Sequence, residues 1–217
     1  MDMALENELE VRHGDNKRSL VQVGQELKTN GKTLFGMVAL FWVLEVFDKL
    51  IFMGGLDSLG IHPRTLSGLG GILTAPFLHG GFGHLIGNTV PFLMLGGLIM
   101  LRDRKDWMVT TALSTLVGGA GIWLLGAANS VHIGASILVF GYFGYLVSVG
   151  WFERKFGAIL LSVLVALFYG GMVWGVFPIL AGAGVSWEGH LFGALGGVLS
   201  AKLLYGRKNT STKLLTE

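Results

Sequence analysis

Apolar residues run through this chain in long blocks, near 34–53, 84–101, 107–125, 136–152, 157–177 and 190–205. Each block is close to the length of about 17 to 25 residues that a membrane-crossing helix needs. Blocks apolar on every face belong in lipid or in the centre of a bundle. The pattern predicts an all-α, polytopic membrane protein with six transmembrane helices in one domain over 34–205. A polar arm over 1–33 and a polar tail over 206–217 flank it. Polar side chains collect at block edges: His79, His84 and Asn88 around the start of the second, Ser136 at the start of the fourth, His190 at the start of the sixth. The segment 54–78 is Gly-rich with an apolar second half, and is expected to be a long loop that dips into the outer leaflet.

Composition sharpens this picture. Of 217 residues, 52% are hydrophobic and only 14% charged, and the mean hydropathy is +0.62, outside the range of ordinary soluble domains. The chain has no cysteine, which removes disulfides, thiolate metal sites and a thiol nucleophile. A net charge of +2 selects no partner class, and no nucleic-acid partner is expected. Residues before Leu34 mix acids, bases and amides without a small-residue cleavage site, so they do not read as a signal peptide.

The basic residues set the topology, because Lys and Arg near helix ends favour the cytoplasmic side. Arg12, Lys17, Arg18, Lys28 and Lys32 precede the first block, Arg102, Arg104 and Lys105 follow the second, and Arg154 and Lys155 follow the fourth. Lys202, Arg207, Lys208 and Lys213 close the chain, whereas the alternate loops hold only Arg64. Both termini are therefore expected in the cytoplasm. Trp107 and Trp151 are expected at that interface, and Trp123, Trp174 and Trp187 at the other.

On this topology Ser136, His190 and the cluster His79, His84, Asn88 share one level near the non-cytoplasmic face. Strongly polar side chains at membrane depth point to function. A serine at a helix start gains from the helix dipole and from unpaired backbone N–H groups that can stabilise an oxyanion, although helix capping or packing alone also accounts for it. His190 has the chemistry of a general base; its bland alternative is an interfacial histidine bonded to a loop carbonyl. No acidic orienter stands out, since Glu188 is expected to point into the loop, which leaves a Ser-His dyad. His84 and Asn88, four apart, share a helix face and can offer two N–H donors to one point. The alternative there is an interhelical contact of about 0.6 kcal/mol. His79 is expected to tie down the loop.

Other chemistries fit less well. The histidines of HGGFGH lack a zinc-peptidase spacing and a carboxylate, so no metal and no cofactor is expected. Glu45, Asp48 and Lys49 are spaced for ion pairing among themselves. A proton or solute pathway through the histidines lacks internal repeats and an acidic relay. Gly193 and Gly197 lie below His190, and Gly141 and Gly144 below Ser136, where small residues let helix backbones approach. If those faces meet, the serine and the histidine top one seam.

Taken together, these segments resemble the rhomboid family of intramembrane serine proteases over about residues 34–205, in the prokaryotic six-helix form. HGGFGHLIGN is similar to the family's His-x4-His-x3-Asn pattern, GASILVFG to its nucleophile segment and GHLFGALGG to its sixth-helix segment. The resemblance implies Ser136 and His190 as catalytic dyad, and His84, Asn88 and the Ser136 N–H as oxyanion donors. It implies His79, Gly134, Phe140, Gly193 and Gly197 as structural residues near the site, with Phe140 packed beneath the histidine. The implied activity is endoproteolysis of single-pass transmembrane substrates through an acyl-enzyme, by a multi-pass protein of a bacterial-type plasma membrane in contact with the lipid bilayer. Two departures stand out. Ile137 replaces the glycine usual after the serine, and a Trp-Arg pair is missing from the first loop, where Arg64 stands alone. They motivate an alternative, a catalytically inactive rhomboid-like protein that binds transmembrane clients.

Overall fold

The computed structural model describes residues 3–180 and 184–214, and among these all regular structure is helical. The elements are α1 (Met3–Phe47), α2 (Leu66–Thr74), α3 (Phe82–Arg102), α4 (Arg104–Leu125), α5 (Ser136–Glu153), α6 (Phe156–Tyr169) and α7 (Trp187–Leu214). Short irregular turns of helix join them at Asp48–Phe52, Gly55–Leu59, Ala75–Phe77 and Gly170–Val176. Among the described residues four helical stretches are long and apolar enough to cross a membrane: Phe82–Arg102, Arg104–Leu125, Ser136–Glu153 and Phe156–Val176. The protein is an integral membrane protein built as a helical bundle.

Several boundaries differ from expectation, each for a local reason. The first helix does not start at Leu34 but runs unbroken from Met3, because the stretch before it is rich in helix formers and has no proline. At its other end the helix widens into a π turn over Asp48–Phe52. There Lys49 Nζ gathers Asp48 at 3.2 Å, Asp57 at 3.6 Å and Glu45 at 3.7 Å, and Asp48 Oδ1 accepts from the Leu56 N–H at 2.7 Å. Residues 54–78 are not a bare loop: α2 occupies their centre, started by Thr65, whose hydroxyl accepts from the Gly68 N–H at 3.0 Å. The fifth block leaves α-geometry at Tyr169, where the Gly170-Gly171 pair favours a tighter 3-10 path. Trp107 is not an interfacial residue. It is 6% exposed and packs in the main apolar core with Phe92 and Tyr142.

At the centre of the bundle stands α5, apolar on all sides and in contact with α3, α4, α6 and α7. Its contact with α7 is made through missing side chains. A Cβ at Gly197 would collide with the Gly141 carbonyl oxygen, one at Gly144 with the Ala194 carbonyl oxygen, and one at Gly193 would stand 2.5 Å from the Ile137 carbonyl oxygen. Backbone meets backbone along this seam, which is how dispersion and weak polar contacts hold helices together in lipid. Ser136 and His190 top the two helices.

Candidate active site

The chain entering α5 is held by backbone bonds to the first loop. Ile61 and His132 exchange N–H to carbonyl bonds at 2.9 and 3.0 Å, and the Gly134 N–H donates to the Ala75 carbonyl at 2.8 Å. Arg64, at a positive φ of 59°, turns back so that its guanidinium donates to the carbonyls of Leu124 (3.1 Å) and Gly126 (2.8 Å) at the end of α4. The Trp123 indole N–H meets the Thr65 carbonyl at 2.8 Å. These bonds staple the first loop to the end of α4, from which the chain leads into Ser136.

Ser136 is the first residue of α5. The helix's opening bonds are Leu138 N–H and Val139 N–H to the Ala135 carbonyl, so the N–H groups of Ser136 and Ile137 precede the ladder, as the first donors of any helix do. The preceding Gly134 has φ +121°, and a Cβ there would lie 2.6 Å from His84 Nε2; glycine is required both by the backbone angle and by the imidazole laid against it. His79 is 1% exposed, and its Nε2 accepts from the Ala135 N–H at 3.4 Å. Burial, with the neighbouring His84, pushes the His79 ring down to about 4, which keeps it neutral and able to accept.

His190 sits in the first turn of α7 and is 8% exposed. Its ring stacks on Phe140 with centroids 3.8 Å apart and planes 10° from parallel. Its Nδ1 lies 2.9 Å from the Gly175 carbonyl. A carbonyl only accepts, so Nδ1 carries the proton and Nε2 is left with its lone pair. The backbone of the Gly170–Val176 turn therefore orients the ring where no carboxylate does. Glu188 is buried at 6% exposure, not directed into the loop, and faces the Ser186 hydroxyl at 3.3 Å.

One cavity of about 690 Å³ brings these groups together: His84, Asn88, Ser136, Phe140 and His190 all line it, with His132 and Ser186 at its rim. Among the described residues no direct hydrogen bond joins Ser136 to His190, as is common before substrate tightens a site. Gly80 N–H approaches His84 Nδ1 at 3.5 Å, an acceptor role that leaves Nε2 as the donor. The Asn88 amide donates to the His84 carbonyl at 3.0 Å and retains a second N–H. Gly193 and Gly197 lie along the seam below the cavity and do not line it.

Ile137 is 3% exposed. Its side chain lies between Gly118 of α4 and Gly189 of α7, and packs with Ile61, Ala75 and Ile122. The residue after the serine is branched, and the seam still closes, because glycines of α4 and α7 leave it room. The loop carbonyl expected as the alternative partner of His190 is present, at Gly175, which has no side chain to announce it in the sequence; sequence reasoning missed His132 with Ser186. The signal for that pair was a polar residue four positions before each of Ser136 and His190.

Comparison with known proteins places the chain in a family. The uncharacterized protein Rv1337 of Mycobacterium tuberculosis is 41% identical over 180 residues, covering 80% of this chain and 75% of its own length. The uncharacterized protein ML1171 of Mycobacterium leprae is 39% identical over 180 residues, covering 80% and 71%. A Bacillus subtilis protein named "Putative rhomboid protease YdcA" is 28% identical over 139 residues, covering 63% and 68%. Residues 67–207 match the Rhomboid domain, and the chain belongs to the rhomboid family.

Proposed function

We propose that this protein is an intramembrane serine endopeptidase that cleaves single-pass transmembrane proteins within the bilayer. In this reading α1, α3, α4, α5, α6 and α7 are six spans, both termini are cytoplasmic, α2 lies in the outer leaflet, and the membrane is a bacterial-type plasma membrane. The arm 1–33, the membrane domain 34–205 and the tail 206–217 are its three parts. The observation that carries the reading is the state of His190. With Nδ1–H committed to the Gly175 carbonyl and the ring clamped on Phe140, its one basic nitrogen shares a cavity with the Ser136 hydroxyl.

The chemistry follows from these groups. A substrate helix unwinds locally, because a helical carbonyl is hidden in its own hydrogen bond. Ser136 Oγ attacks that carbonyl carbon while His190 Nε2 takes the hydroxyl proton. The oxyanion that forms is met by the Ser136 N–H, the His84 Nε2–H and the free amide proton of Asn88, each such donor being worth about 3 to 4 kcal/mol in the transition state. Collapse breaks the C–N bond, and His190 returns its proton to the leaving amine. Water entering through the cavity then gives a proton to His190 Nε2 as it attacks the Ser136 ester, the C–Oγ bond breaks, and His190 returns the proton to Ser136 Oγ.

Incubation of the purified chain in detergent with a transmembrane substrate and with a fluorophosphonate probe tests this. Cleavage and labelling at Ser136 are expected, with both lost by about 10⁴-fold or more in Ser136→Ala and in His190→Ala, while thermal midpoints hold. Binding of the substrate with neither cleavage nor labelling would instead identify an inactive binder.

A further inference from the structure

The segment before Ser136 and the segment before His190 are tied together by side chains. His132, four residues ahead of the serine, places Nδ1 2.8 Å from the hydroxyl of Ser186, four residues ahead of the histidine. Ser186 immediately precedes α7 and starts it: its Oγ accepts from the Gly189 N–H at 3.3 Å, and its carbonyl accepts from the His190 N–H at 3.2 Å. On its other side His132 Nε2 is 2.7 Å from Ser130 Oγ, whose hydroxyl donates to the Ala127 carbonyl at 2.6 Å. Ser130 spends its proton on a carbonyl, so His132 Nε2–H donates to Ser130 and leaves Nδ1 as an acceptor for the Ser186 O–H at 2.8 Å, the shorter of that hydroxyl's two acceptor contacts, the other being the Glu188 carboxylate at 3.3 Å. The His132 backbone is fixed as well, by its paired bonds to Ile61.

We propose that His132 is a positioning residue for the proteolytic reaction: by gripping the serine that caps α7, it sets the approach of His190 to Ser136. The proposal rests on the peptidase reading above. The glycine seam fixes how closely α5 and α7 pack lower down, the Gly175 carbonyl and the Phe140 ring hold the His190 side chain, and the Ser186 contact fixes where the backbone of the first turn of α7 starts. His190 is the fourth residue of that helix, so a pivot at Ser186 displaces the imidazole directly. Misplacement by about 1 Å costs on the order of a hundredfold in rate. Both His132 and Ser186 line the same cavity as Ser136 and His190.

The test uses the full chain in detergent and four variants: His132→Ala, His132→Asn, Ser186→Ala and the His132→Ala/Ser186→Ala double. Asparagine presents its Oδ1 where histidine presents Nδ1, so it keeps an acceptor for Ser186. His132→Ala and Ser186→Ala are each expected to lower kcat by about tenfold or more with KM unchanged. The double variant should lose no more than the worse single one, because both remove one interaction, and His132→Asn should recover most of kcat. Unchanged kcat in His132→Ala, or multiplied losses in the double, overturns the proposal. So does a loss that asparagine fails to restore and that follows the thermal midpoint. If His132→Ala does not fold, Ser186→Ala against wild type and His132→Asn decides the matter in the same way. Wild-type protein that neither cleaves nor labels at Ser136 strikes the peptidase reading itself, which separates the two failures.

Discussion

Two neighbouring helices of this bundle serve the same site with opposite means. Over their most apolar stretches α5 has 61% of its residues buried and the α6 stretch Phe156–Val176 only 11%. The more hydrophobic helix is the less buried one, with mean hydropathy 2.2 against 1.3, because in lipid apolarity marks exposure to the solvent as much as burial in the core. From α5 come the serine, the ring beneath His190 and the backbone against which α7 closes. From the turn that continues α6 comes one carbonyl, that of Gly175. The His190 imidazole thus has a rigid side and a lightly packed side, and stability and rate should separate between them.

Breaking the rigid side has the largest expected effect. Gly197→Val places a branched side chain where even a Cβ collides with the Gly141 carbonyl; the α5–α7 seam cannot close, and loss of the monodisperse folded form on size exclusion is expected. Ile137→Ala comes next. It empties a site bounded by Gly118, Gly189 and Ile122, and a loss of about 2 to 4 kcal/mol in stability is expected. Ile137→Gly should likewise fail to raise activity. A faster, equally stable glycine variant would show that the branched residue hinders the seam.

Acid should weaken the same side. His79 is held neutral, its pKa lowered from 6.5 to about 4, and burial also lowers that of His132 against the pull of Glu188. A folded-state value below the unfolded one means that the unfolded chain binds more protons. The stability from these neutral rings is complete above about pH 6.5 and drains away as pH falls toward 4, by about 2 to 3 kcal/mol for His79. Thermal midpoints measured from pH 7 down to pH 4.5 should fall, and His79→Asn should flatten the slope. An unchanged midpoint in the wild type would contradict the burial of both rings.

The fold and much of the candidate site were legible because lipid imposes a coarse code. Uninterrupted apolar blocks give the long helices, and polar side chains at their edges gather at one level, so Ser136, His190, His84 and Asn88 end at one cavity. What escaped depends on contacts between distant segments. α2 is too short to be told from a loop by block length. The room for Ile137 comes from Gly118 and Gly189, glycines of two other helices whose packing partner no periodicity names. Trp107, at a block edge and next to charges, looks interfacial and is core. The orienter of His190 is a backbone carbonyl and leaves no trace in residue types, while Glu188, the side chain nearest that role in sequence, faces Ser186 instead.

The lightly packed side is probed by Gly175→Ala. Its Cβ would stand 2.9 Å from Phe140 Cζ and 3.1 Å from His190 Nδ1, close enough to shift the stack without touching the α5–α7 seam. A drop of about tenfold in kcat is expected, with the thermal midpoint nearly unchanged; a midpoint that falls as far as that of Ile137→Ala would show that this turn bears on stability after all.

The smallest effect belongs to the outer face of α6. Phe168 is 81% exposed and lies one residue before the helix leaves α-geometry. Phe168→Ala removes a ring that touches little protein, so stability should change by no more than about 0.5 kcal/mol. Its value is as a measure of what α6 meets. If the helix faces only lipid, kcat/KM for a transmembrane substrate should also stay within twofold, roughly the scale of a surface change. A several-fold change in kcat/KM at constant stability would mean that substrate passes along this face, and the helix that holds the Gly175 carbonyl would then also be the one that senses substrate arrival.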